Sequence, residues 1–303
     1  MRVPFTFILL FGAAIQLCHS RDLQFFGTMQ NKLAEPHHKC DLCADNWLFI
    51  LGAGGRTGST TAMSMFNSVP SFEISGEHWG LLHQEQMVFQ RLKETEERQK
   101  SPAWAGHRVD THHLACNVQR LTKAVIFGQD FETLSEHTEV LGFKEIRYTT
   151  IRMLRFLARV FPCARYVFTY RVDRKTDVNA WGFSDNLKQD WERQAKLAKS
   201  VHDTFKNTTA MLGLEKLDTD RFNRVLIDKL GVKGCHFTRV LHDNADGTYK
   251  NDPTKDQTVT AGACDFSNVN FRLSEEQIQE NEQKWDELEK EIHPWQQSTT
   301  SFY

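Results

Sequence analysis

The chain has no internal repeat, no low-complexity segment and almost no net charge. Its 37 lysines and arginines against 39 acids leave −2 at pH 7. That balance removes the electrostatic footprint of a generic nucleic-acid binder, so no nucleic-acid partner is expected. The apolar run VPFTFILLFGAAIQLC at residues 3–18 is shorter than a comfortable membrane span. The glycine-rich stretch after residue 51 lacks the Gly-Lys pair of the ATP-type loop G-x-x-x-x-G-K-[ST]. No strand clearly ends in an aspartate for magnesium, which weakens a kinase or NTPase reading. Cys40 and Cys43 form a C-x-x-C, yet zinc needs a second ligand pair and only His37 and His38 lie near. A redox motif needs a strand before it and a helix after it, whereas EPHHKCDLCADN reads as a loop. A structural disulfide is the reading left for these cysteines, and no metal is expected.

What is present begins with a compartment. Arg2 precedes the apolar run, which ends at small or polar residues around Cys18 to Ser20. A charged start, a short apolar segment and a small residue describe a secretory signal over residues 1–20; left uncleaved, it becomes a signal anchor and the membrane a partner. Six further cysteines, Cys40, Cys43, Cys116, Cys163, Cys235 and Cys264, suit disulfides in an oxidising compartment, with about 15 possible pairings. Asn207-Thr208-Thr209 is a glycosylation sequon of the same compartment. Residues 21–45 read as a polar stem and 46–240 as the main domain. Residues 241–303 read as a C-terminal extension: a long polar loop over 242–270, then a helix from Ser274 to about Ile292, with Gln277 in capping-box position.

The chemistry-bearing stretch is LFILGAGGRTGSTTAMSMFNSVPSFEISGEHWG, Leu48 to Gly80. It begins as a buried strand and breaks into Gly52, Gly54, Gly55 and Gly58 around one cation, Arg56, followed by Ser59, Thr60, Thr61 and a helical pattern. Glycines let backbone N–H groups approach a ligand, the helix N-terminus adds its dipole, the hydroxyls add donors, and Arg56 adds charge. Together they point to a phosphate-type anion.

Strand patterns at 47–54, 72–79 with its exit loop, 139–147, 164–171 and 210–217 alternate with helical ones at 59–68, 80–100, 149–162, 185–206 and 220–231. This order predicts an α/β fold, a doubly wound parallel sheet with a P-loop-type nucleotide site. Such sheets bind ligands beyond the C-terminal ends of their strands, where Gly54 to Thr61, Glu77 and Arg171 fall. His107, Asp110, His112 and His113 cluster without metal-ligand spacing on a helix, so HRVDTHHLAC reads as a polar loop. Between Lys144 and Lys175 stand nine lysines or arginines against two acids. Arg152, Arg155 and Arg159 have the spacing of a solvated helix face; Lys144 and Arg171, in or just after strands, are candidates for an anion.

GRTGSTT (55–61), EISGE (73–77), GFKEIR (142–147) and YRVDRKTDVNAW (170–181) resemble the sulfotransferase family over roughly residues 46–240. That resemblance implies 3′-phosphoadenosine 5′-phosphosulfate as donor and a hydroxyl-bearing acceptor. It implies that the loop of Gly55, Arg56, Thr57, Gly58, Ser59 and Thr60 wraps the 5′-phosphosulfate. It further implies that Arg171 holds the 3′-phosphate; eight positions on, where the family has a serine, stands Asn179, whose amide can still donate. Cytosolic members place a histidine where Ile146 stands, so their base cannot transfer. Golgi members acting on protein tyrosine have a glycine-preceded glutamate about twenty residues after the first motif, which Glu77 matches. The resemblance thus implies Glu77 as catalytic base, with Arg56 and Lys144 stabilising the leaving group and His78 as runner-up base. Thr61 replaces a tryptophan common in cytosolic members, so adenine stacking must come from elsewhere. The implied function is a Golgi-lumenal or secreted sulfotransferase acting on a glycan, protein tyrosine or small alcohol. Its rivals are a P-loop kinase or NTPase, and a secreted nucleotide-binding relative without turnover.

Overall fold

Residues 40–98, 110–128, 137–172, 185–241 and 259–296 are described in the computed structural model. The chain divides into two units, Met1–Cys40 and Asp41–Tyr303. The signal segment, and the stem as far as residue 39, lie outside the described residues.

In the second unit the apolar runs become strands. These are β1 (Trp47–Gly52), β2 (Phe72–Ser75), β3 (Val140–Glu145), β4 (Arg165–Tyr170) and β5 (Thr209–Gly213). Of these, β1 and β3 are buried on both faces and β2 on one. The five form one sheet in the order β2-β3-β1-β4-β5, with every pairing parallel. Parallel neighbours require crossovers. These contain α1 (Ser59–Asn67), α2 (Leu82–Arg98), α3 (Thr111–Phe127), α4 (Ile151–Val160) and α5 (Asp185–Thr204). The chain leaves β1 toward one edge and β4 toward the other, which opens a crevice at the C-terminal ends of that pair. The expected doubly wound α/β fold is the observed one.

Alternation along β1 sorts its side chains into two cores. Trp47, Phe49 and Leu51 join the layer containing α2, α3, α4 and α5. Leu48 and Ile50 join the layer containing α1. The first layer is aromatic: Phe49 stacks on Phe143 at 4.5 Å and meets Phe161 edge-on at 5.0 Å.

Beyond β5, α6 (Thr219–Arg224) passes into a π-helical turn over Val225–Lys229. A two-stranded antiparallel ribbon follows, β6 (Lys233–Phe237) with β7 (Thr260–Asp265), joined by the Cys235–Cys264 disulfide. The polar loop expected over 242–270 is therefore part strand. TAGACD carries no apolar alternation, so its pairing rests on backbone bonds and the disulfide rather than on a buried face. α7 (Glu275–Gln296) follows. Its capping box is formed as the spacing implies: Gln277 Oε1 accepts from Ser274 N–H at 2.9 Å and Ser274 Oγ from Gln277 N–H at 3.3 Å.

Three further expectations are corrected. The polar loop expected over 107–116 becomes helix from Thr111, where the Asp110 side chain accepts from His113 N–H. The apolar stripe that holds this helix, Ala115 and Val118 against the core, lies mostly C-terminal to the histidines. Arg155 and Arg159 are not a solvated face, although Arg152 is exposed. Arg155 pairs with Asp286 and Glu289 of α7, and Arg159 pairs with Glu282 at 2.6 Å. Cys43 bonds to Cys163, so the C-x-x-C cysteines do not pair with each other. All six cysteines from Cys40 onward are in disulfides.

Candidate active site

Beyond Gly52 the chain turns under β4. Ala53 N–H donates to the Thr169 carbonyl at 2.8 Å. The Thr57 hydroxyl donates to the Gly54 carbonyl at 3.1 Å and lies 3.0 Å from the Thr169 hydroxyl. Thr57 is therefore buried with its hydroxyl holding the loop's own shape, and its ligand-binding potential is that of its backbone. Gly54 has φ 89, and a Cβ there would stand 2.2 Å from Trp191 Cδ1, so both conformation and space require glycine.

Gly58, φ 85, is the N-cap of α1. It offers no capping side chain, and no acid lies in the first turn. By contrast Asp110, Thr150, Asp218 and Ser274 cap the starts of α3, α4, α6 and α7. The first-turn N–H groups of α1, at Ser59, Thr60 and Thr61, keep their partial positive charge for an external anion. Arg56, partly exposed beside them, holds φ 60, a strained conformation for a non-glycine residue. Among the described residues it has no ion-pair partner.

On the adjacent strand of the sheet, a buried carboxylate ties two loops together. Glu145 ends β3 fully buried. Its Oε2 accepts from the N–H groups of His78 at 3.2 Å and Gly80 at 3.0 Å. Its Oε1 accepts from Ile146 N–H at 2.9 Å, Arg147 N–H at 3.3 Å and Arg147 Nη1 at 2.7 Å. Five donors compensate the burial of one charge.

That clamp fixes Glu77, which leaves β2 and meets two cations. Lys144 Nζ bonds to its Oε1, and Arg147 Nη1 to its Oε2 at 2.8 Å. Lys144 is 5% exposed, and the Glu77 side chain 25%. Burial opposes ionisation of Glu77, yet the Lys144 ammonium and the Arg147 guanidinium outweigh it and hold its pKa below the ordinary carboxylate value. His78, half-buried beside it, has its pKa lowered by burial, partly offset by Glu145, and so favours neutral imidazole. Its Nε2 lies 3.4 Å from Ser75 Oγ.

Arg171 follows the end of β4, its Nε 3.9 Å from Glu215 Oε1. Asn179 lies outside the described residues. The structure thus joins Glu77 to Lys144, and sets the 55–60 loop and Arg171 beyond the adjacent strands β1 and β4. Glu145, Arg147 and Trp191 were given no role from sequence. An acid and a lysine side by side ending an otherwise apolar strand was the available signal for the first two. Cys40 and Cys116 are oxidised in disulfides and offer no thiolate to a metal.

A family model described as Sulfotransferase family matches residues 48–226. The match covers more than half of the chain and includes every residue placed in this site. None of the curated proteins matches the chain.

Proposed function

The chain belongs to the sulfotransferase family, and from that premise we propose that it moves a sulfuryl group from 3′-phosphoadenosine 5′-phosphosulfate to an acceptor hydroxyl in the secretory pathway. The acceptor is a glycan, a protein tyrosine or a small alcohol. The observation that carries this reading is the Glu77–Lys144 pair, an ionised carboxylate and a buried ammonium in contact at the ligand-binding edge of the sheet.

The residues fit such a donor. An α1 without a side-chain cap or an acid in its first turn, and an Arg56 held at positive φ without an ion-pair partner among the described residues, are what an anionic phosphosulfate requires. When bound, the donor supplies the sulfuryl group and a phosphate leaving group. Arg56 and the N–H groups of Gly58, Ser59 and Thr60 would hold its 5′ end, with Gly55 and Thr57 shaping the loop. Arg171 with Asn179 would hold the 3′-phosphate. Lys144 would neutralise charge developing on the leaving oxygen, and Glu77 would take the proton of the acceptor hydroxyl. An anion held by the 55–60 loop would compete for the ammonium now on Glu77 Oε1, and loss of that contact would free the oxygen for a proton. No metal enters this scheme.

The compartment is supported by the oxidised cysteines and by Asn207, which is exposed and open to glycosylation. Among the described residues no helix is long and apolar enough to cross a membrane. His78 is the second reading for the base, favoured by its neutral imidazole.

Glu77→Gln is the test. Gln keeps the size and removes the base, so turnover should fall about 100-fold or more, while affinity for adenosine 3′,5′-bisphosphate stays near wild type. Near-full turnover with donor and acceptor saturating would remove Glu77 from the role and pass it to His78.

A further inference from the structure

Trp79 stands two residues from Glu77 and is 86% exposed, the most exposed of the large apolar side chains described. Folding alone gives no reason for this. An indole is normally buried to gain from its large apolar area, and Trp79 also holds φ 56, a left-handed conformation that costs a non-glycine residue about 1 kcal/mol or more. Among the described residues only Arg56, Ser71 and Trp79 combine a side chain with positive φ, and two of these three belong to the site.

The strain persists because both neighbours are pinned. His78 N–H and Gly80 N–H, on either side of Trp79, donate to the same buried oxygen of Glu145. Leu81 N–H closes onto the His78 carbonyl at 3.1 Å. The Arg147 guanidinium carbon lies 5.1 Å from the indole centre, and the same guanidinium bonds to Glu77. A single guanidinium therefore bridges the indole and the carboxylate, while the rest of the ring faces solvent.

We propose that Trp79 is the acceptor platform of this enzyme: its indole stacks on the flat ring of an aryl hydroxyl and presents that hydroxyl toward Glu77. The inference rests on the sulfotransferase reading and narrows it to a phenolic acceptor. Stacking favours a planar apolar ring, and the neighbouring exposed side chain, Leu81, is apolar as well. The base agrees with this choice. Two cations weaken Glu77 as a proton acceptor, which suits a phenol, with a pKa of about 10, better than an alkyl or sugar hydroxyl, which is far less acidic. In the transfer the phenolic O–H bond breaks with its proton passing to Glu77. The new S–O(aryl) bond replaces the S–O(phosphate) bond of the phosphosulfate donor, and adenosine 3′,5′-bisphosphate leaves.

The test measures binding as well as turnover, on the full chain with adenosine 3′,5′-bisphosphate present. Para-cresol and methyl β-galactoside serve as probes against wild type, Trp79→Ala and Trp79→Phe. Trp79→Ala should weaken cresol binding, and raise its KM, by about tenfold, the scale of one lost stacking contact. Trp79→Phe should retain most of the affinity, and kcat at saturating cresol should change little in either variant. Bisphosphate affinity should be unchanged in both, which separates this proposal from the donor reading: if the bisphosphate does not bind wild type, it is the donor reading that fails. Cresol affinity in Trp79→Ala close to wild type overturns the platform. Tighter binding of the galactoside than of cresol, lost in Trp79→Ala, overturns the aryl assignment.

Discussion

Glu145→Gln tests how the candidate base is held. The wild-type carboxylate accepts four backbone N–H groups, from His78, Gly80, Ile146 and Arg147, as well as Arg147 Nη1. Glutamine keeps one acceptor oxygen and turns an NH2 toward either the His78–Gly80 pair or the Ile146–Arg147 pair. In the first orientation two donors face a donor, and in the second three, Arg147 Nη1 included. Each lost bond to a charged acceptor is worth about 1.5–3 kcal/mol, and breaking a buried charged pair costs about 3–5 kcal/mol as a whole. These count the same loss, and the Arg147 share is screened because that side chain is 33% exposed. The expected destabilisation is about 3–5 kcal/mol, or roughly 10 °C in Tm at about 2–4 °C per kcal/mol for a large domain. Turnover should fall as well, because the 76–80 loop that carries Glu77 loses its anchor. Urea unfolding and a thermal melt give the first quantity and a sulfation assay the second. A loss under about 1 kcal/mol with unchanged turnover would refute the reasoning, since a fully buried carboxylate with five donors cannot be idle.

Other consequences concern pH and the C-terminal helix. Burial pushes Glu85 up to about 7 from 4.5, against the donated Thr122 hydroxyl. The folded pKa is the higher one, so its stabilising contribution is complete below the unfolded value and is lost as pH rises toward 7. Glu85→Gln should add on the order of 1–3 kcal/mol at pH 8, after allowance for partial exposure, and little near pH 4.5, as urea unfolding at both pH values will report. Arg155→Ala leaves Asp286 and Glu289 of α7 without their cation. Hydrogen exchange should then quicken across residues 275–296, and unchanged protection would show that the Trp285–Phe205 stacking, at 4.6 Å, holds the helix alone.

Much of the sheet was legible because its signal is local. Runs such as WLFILG and RYVFTY are apolar on both faces, and glycine or arginine marks where each ends. The glycine loop was legible for the same reason, since conformation and charge sit within seven residues, Gly55 to Thr61. What escaped depends on partners far along the chain. The role of Arg155 is set by acids more than 120 residues away, and β7 is a strand only because β6 and Cys235 lie opposite it. Glu145 escaped for a different reason. A carboxylate at the end of a strand reads as an ordinary surface charge until the loop after β2 is seen to fold its amides onto it.

The central claim is that the 55–60 loop and Arg171 hold a 3′-phosphorylated, 5′-anionic adenosine rather than a triphosphate. Isothermal titration and thermal shift with adenosine 3′,5′-bisphosphate, beside ATP with magnesium, test it most directly, because a ligand of the native state stabilises by mass action, about 2.7 kcal/mol at a hundredfold excess over Kd. The account predicts a clear rise in Tm with the bisphosphate and little with ATP and magnesium; equal or greater stabilisation by ATP and magnesium would contradict it.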